Sequence, residues 1–183
     1  MKFTKYIFFI LILLNIDQTY SEERGNKLDK LFNDLKIENV TLTHSTEQKI
    51  WKIWNTHPSD QDLTERLAKG SFFLRNNKLI KAVEIFTEII KKDPNWAEAW
   101  NKRATVLYML GDYQGSQKDI DKVLELEKRH FGALAGQGLV NIKLENYEKA
   151  IKSYKKAKEI YPTMQSPDIM IKQIEELIKQ QLI

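Results

Sequence analysis

Between Leu63 and Met164 the sequence returns on itself about every 34 residues, and that period confines the chain to architectures made by stacking one small unit. Pro94 and Pro162 stand two full periods apart, with Lys128 midway. Aligned on these marks, the units run 63–96, 97–130 and 131–164. The eighth residue of each is Gly70, Ala104 and Gly138, and the twentieth is Ala82, Ser116 and Ala150. The twenty-fourth is Phe86, Ile120 and Tyr154; the twenty-seventh is Ile89, Val123 and Ala157. Turn formers recur in mid-unit as Asn76-Asn77-Lys78, Gly111-Asp112-Tyr113 and Glu145-Asn146-Tyr147. Each unit therefore reads as two helices of about 13 or 14 residues around a tight turn.

The spacing has a packing reason. Small residues at positions eight and twenty lie where the two helices cross, and larger ones would hold the backbones apart. The bulky residue at twenty-four fills the space beside that contact. A helical hairpin this short cannot bury both faces alone, so each unit must stack on the next. Composition agrees: 42% hydrophobic residues, seven glycines and four prolines exclude a disordered or collagen-like chain. Zero cysteines remove disulfide scaffolds, thiol catalysis, Cys-ligated zinc, iron–sulfur clusters and an acylated lipoprotein anchor. The net charge of +4 is mixed in sign along the chain, which is not the footprint of a nucleic-acid binder.

The pattern resembles the tetratricopeptide repeat (TPR) family over residues 63–164. Trp100, Ala104, Gly111, Tyr113, Ser116 and Leu124 stand where that family places its Trp, small residue, Gly, Tyr, Ala and Leu. The segments Trp100–Thr105 and Arg129–Leu134 are similar to those of exported TPR proteins of Gram-negative bacteria. The resemblance implies an all-α fold, a TPR α-solenoid of three helix-turn-helix repeats. There are two departures. Position seven, usually Leu, is Lys69, Arg103 and Gln137, which suggests a polar strip between helices or a rotation of each first helix. Position thirty-two of the middle unit is Lys128 instead of Pro, which points to a helix one turn longer.

The flanks read separately. Lys2 and Lys5 precede an apolar run from Tyr6 to Ile16, with small Thr19 and Ser21 placed for cleavage after Ser21. That run has the length of a signal-peptide core and is too short to span a bilayer. Residues 1–21 are thus expected to be a signal peptide of an exported, periplasmic protein, with an uncleaved membrane anchor as the second choice. Residues 22–62 form a helical lead-in. Leu28, Leu31, Phe32 and Leu35 share one helical face, and Ser45–Gln48 has the form of a capping box opening a helix with Ile50, Trp51, Ile53 and Trp54. The two tryptophans are expected to pack on the first repeat. Asn39-Val40-Thr41 matches a glycosylation sequon. Residues 165–183 read as a capping helix started by Ser166-Pro167-Asp168, with Ile169, Ile171, Ile174, Leu177 and Ile178 turned inward.

Catalytic chemistry is missing from the pattern. The histidines, His44, His57 and His130, form no metal-ligand pair, and no nucleophile elbow, phosphate loop or zincin helix occurs. The expectation is a scaffold that is not an enzyme, with no cofactor and no metal. In TPR arrays the first helix of each unit lines a concave groove through positions 2, 5, 9, 12 and 13. By that resemblance the partner-binding residues are Leu67, Ser71, Leu74, Asn101, Thr105, Tyr108, Met109, Leu139 and Ile142, facing a protein or peptide ligand. The membrane is a partner only if the amino-terminal segment stays uncleaved. The carboxylate clamp of chaperone-binding TPR proteins falls here on Leu67, Ser71, Lys102, Gly132 and Gly136, of which only Lys102 fits. The expectation is therefore no carboxylate-clamp chaperone partner.

Overall fold

The computed structural model describes residues 22–181, so the expected signal peptide lies outside the described residues. Among the described residues there are nine helices and no strand. Helix α1 spans 22–34 and α2 Val40–Trp54. Three hairpins follow: α3 (Gln61–Arg75) with α4 (Leu79–Lys92), α5 (Ala97–Met109) with α6 (Tyr113–Leu126), and α7 (Phe131–Lys143) with α8 (Tyr147–Ile160). Helix α9 (Gln165–Gln181) closes the array. Each helix packs on the next from α3 to α9, and α3, α5, α7 and α9 also touch in succession as one inner layer.

Close contact at position eight holds each hairpin together. A Cβ added to Gly70 would sit 2.5 Å from the Phe86 ring, and one added to Gly138 2.5 Å from the Tyr154 ring. The aromatic residue at twenty-four thus occupies the volume that the missing methyl leaves free. The three turns use left-handed backbone at equivalent places, with φ of 54° at Asn77, 81° at Gly111 and 58° at Glu145. Only the second turn has the glycine that this conformation favours.

The polar residue at position seven joins three helices at once. Arg103 makes a two-pronged ion pair with Asp119 of its own unit, 2.7 Å at each nitrogen, and reaches Thr87 of the preceding unit. Gln137 repeats the arrangement with Ser153 of its own unit and Asp121 of the preceding one. Asp119 and Ser153 share one register position and Thr87 and Asp121 another, so the polar strip expected from sequence is a ladder between repeats. Lys128 does not lengthen its helix. All three second helices have 14 residues, and α6 ends at Leu126 with Glu127 extended and its carboxylate accepting from the Arg129 backbone.

The lead-in differs most from expectation. Helix α2 starts five residues before Ser45, because the Asn39 side chain accepts from the Leu42 amide and caps it there. The sequon asparagine is therefore a helix cap in this structure. Leu28, Leu31, Phe32 and Leu35 are all buried, as their spacing predicts, each burial contributing roughly 1.5–3 kcal/mol of transfer free energy. They do not meet the first repeat. Together with Ile50 and Trp54 they pack on Phe131 and Tyr161, at the junctions after the second and third units. Trp54 stacks flat on His130 at 4.0 Å, and Trp51 meets His130 and Phe131 edge-on. Contact with the first repeat comes at its two ends, where the His57 amide donates to the Thr64 hydroxyl, the His57 ring pairs with Asp93, and the Trp96 indole donates to the Trp54 carbonyl. The lead-in therefore runs along the edge where second helices hand over to first helices. At the other end, Ile174 is buried and Ile171 and Ile178 pack on α8, but Ile169 and Leu177 face solvent. Helix α9 begins at Gln165, with Pro167 inside its first turn.

Candidate partner-binding groove

Four of the nine residues chosen from sequence meet at one place. Asn101, Thr105, Tyr108 and Leu139 line a half-open cleft of about 80 Å³ between α5 and α7, whose floor is Ala104, Ser116, Ile120, Gly132, Gly136 and Val140. The register explains it. Small residues at the crossing points of α5 and α6, and two glycines on α7, let the inner helices leave a hollow where larger side chains would fill it. Asn101 donates to Glu98 and its backbone carbonyl accepts from Thr105, so the amide is oriented before any ligand arrives.

The other five are distributed differently. Leu67 is 1% exposed inside the core of the first hairpin, so it has no surface to offer. Leu74 packs against that same core, and Ser71 is half-buried beside it on α3. Ile142 lies under α9. Met109 is on the surface, outside the cleft lining.

Sequence reasoning missed the cluster at the cleft's edge. Glu98 is fully buried, with its carboxylate 3.0 Å from His130 Nε2 and 2.9 Å from Lys102 Nζ. His130 accepts the Ala133 amide at Nδ1, capping α7, and so donates from Nε2 to Glu98. Burial pushes the Glu98 carboxyl up, but the His130 hydrogen bond and the Lys102 charge outweigh it and hold it below the usual carboxylate range. The Trp51 ring covers Gly132, where a Cβ would come within 2.6 Å, and carries the Lys102 ammonium over its face at 5.6 Å. The available signal was His130 at a repeat junction, closing the same unit that Glu98 opens at position two. No local motif connects them. Among the described residues no group of three or more His, Asp or Glu is arranged to hold a metal ion.

The sequence profile of the tetratricopeptide repeat matches residues 67–116 and 102–164, more than half of the chain. The chain belongs to the TPR family. A TPR repeat-containing protein of Rhizobium etli is 33% identical over 144 residues, covering 78% of this chain and 70% of that protein. Hsp70-Hsp90 organizing protein 2 of Arabidopsis thaliana is 31% identical over 101 residues, covering 55% of this chain; the chain spans only 18% of that relative's length. Among solved structures, the first TPR domain of Spaghetti bound to the HSP90 peptide SRMEEVD superposes with a TM-score of 0.63 at 19% identity. That match covers 65% of this chain and 94% of the other, and it establishes the shared fold, an all-α TPR solenoid. Such repeats serve as scaffolds for protein–protein interaction.

These relatives correct one expectation. Counting five clamp positions led to the exclusion of a carboxylate-clamp chaperone partner, yet similar TPR proteins are named for Hsp70 and Hsp90, and neighbouring structures hold their EEVD-ending peptides. Five positions do not suffice to exclude such a ligand, because a groove can also hold an extended peptide through its shape and oriented amides. The exclusion is withdrawn.

Proposed function

We propose that this TPR protein is a non-catalytic scaffold that holds an extended segment of a partner protein in the cleft between α5 and α7. Asn101 hydrogen-bonds the partner's backbone, while Tyr108 and Leu139 flank the seat of one apolar side chain. The observation that carries this reading is Gly136. It stands in the middle of a helix, where glycine costs roughly 0.5–1 kcal/mol relative to alanine. A Cβ there would meet only Ile120 at an ordinary 3.7 Å, so packing does not demand glycine. What glycine preserves is room in the cleft. The acidic carboxyl-terminal peptides of Hsp70 and Hsp90 type are the first single ligands to try, given the relatives that carry those names.

The test is selection of displayed seven-residue peptides on the folded chain, with SRMEEVD as a single-peptide probe. Selected sequences converge on a shared apolar position, and the Asn101→Ala, Tyr108→Ala double variant loses them at least tenfold. A folded double variant that keeps every selected peptide at full affinity contradicts the reading. We further propose export with cleavage after Ser21, which the basic start and apolar run of residues 1–21 support; amino-terminal sequencing then finds Glu22 first, and an intact Met1 start contradicts the cleavage.

A further inference from the structure

The ladder between repeats is cut at its first rung. Arg103 and Gln137 each reach a preceding second helix, but Lys69, at the same position in α3, has no preceding helix and is exposed. Positions three and ten show the same difference. Ala99 and Ala133 are buried, as are Val106 and Val140 at 0% and 1% exposure, whereas their counterparts Glu65 and Phe72 face solvent, Phe72 at 53%. The lead-in leaves this face open because it runs along the handover edge instead of stacking on α3. The array therefore starts on a surface that elsewhere in the same molecule is an interior joint.

The far end supplies a complement. The outer face of α9 exposes Ile169 at 56% and Leu177 at 39%, with Lys172 and Glu176 beside them. Glu65 and Lys69 stand one helical turn apart on α3, and Lys172 and Glu176 stand one turn apart on α9. Set side by side and parallel, the two helices pair Glu65 with Lys172 and Lys69 with Glu176, and place Phe72 level with Lys179, two residues beyond Leu177 along the axis. None of the four charged groups forms an ion pair among the described residues.

We propose that the α3 face of one copy docks on the α9 face of a second copy, extending the solenoid head to tail. The chain carries both halves of this contact in complementary charge order, with exposed apolar residues on each face, and that favours a second copy over an unrelated helix. The contact is heterologous and does not close on itself, so assembly grows with concentration. It is independent of the groove reading, since no cleft residue takes part.

Sedimentation velocity of the full chain from micromolar to near-millimolar concentration tests this. All variants share residues 1–21, so differences between them report the end faces alone. Wild type forms a concentration-dependent series of oligomers, and Phe72→Asp is monomeric with an unchanged melting temperature. Lys69→Glu weakens association about tenfold, and Glu176→Lys in the same chain restores it. An equimolar mixture of Phe72→Asp with the Ile169→Asp, Leu177→Asp variant gives dimers and nothing larger, because each keeps one working face. A wild type that stays monomeric throughout overturns the proposal, as does assembly insensitive to Phe72→Asp or a mixture in which no dimer forms.

Discussion

The two faces of α7 hold glycines that look alike in sequence and do opposite things. On the face toward α8, a Cβ added to Gly138 would lie 2.5 Å from the Tyr154 ring, which would have to shift to admit it. On the face toward α5, Gly136 borders a hollow with no neighbour pressing on it. One glycine is required by packing, and the other keeps a space empty. Nearer the start of the helix, Gly132 takes a third course, because the lead-in's Trp51 already occupies its space. A repeat protein thus separates the seam that makes it fold from the cleft it can offer a partner, on two faces of one helix.

Substitutions that treat the two faces alike should expose the difference. Gly138→Ala carries the largest expected effect: a methyl driven against a rigid, buried ring costs about 3 kcal/mol, read as a lowered midpoint in urea unfolding with an unchanged slope. A loss below about 1 kcal/mol would show that the seam yields more easily than the contact distance implies.

Glu98→Gln tests the joint between the lead-in and the repeats, and is expected to cost about 2 kcal/mol at neutral pH, since it removes the charge that His130 and Lys102 share. The folded carboxyl of Glu98 lies below its ordinary value of 4.5. Its stabilising contribution is therefore complete above about pH 4.5 and disappears as the pH falls through the lower, folded value. The acid limb of wild-type stability should be steeper than that of Glu98→Gln. Parallel limbs would remove Glu98 from the joint.

The fold was legible because the seam writes itself into the sequence at a fixed period. Gly70, Gly138, Phe86 and Tyr154 recur at places that packing alone dictates, and so do the three turns. The position-seven departure was legible as polarity, while its partners Asp119, Thr87, Ser153 and Asp121 required the stacking. The lead-in was legible as helices and misplaced in space. Nothing in Trp51 or Trp54 says which of three similar junctions they will cover. That choice depends on the buried pair of Glu98 and His130, which stand at opposite ends of one unit. Five of the nine candidate residues lie outside the cleft, two of them for a related reason. Position five faces the groove in the family, yet in the first unit Leu67 turns into the core, and Ile142 is covered by a capping helix that follows the repeats.

Gly136→Ala tests the central claim most directly, and its two readouts move in opposite directions. The alanine should raise unfolding stability by about 0.5–1 kcal/mol, because the helix gains and no clash arises. The same methyl should weaken binding of the selected peptides about tenfold by narrowing the seat beside Tyr108 and Leu139. A more stable protein that binds every peptide as tightly as before would mean that the space beside Gly136 is empty for no partner's sake, and the groove would have to be sought elsewhere on the array.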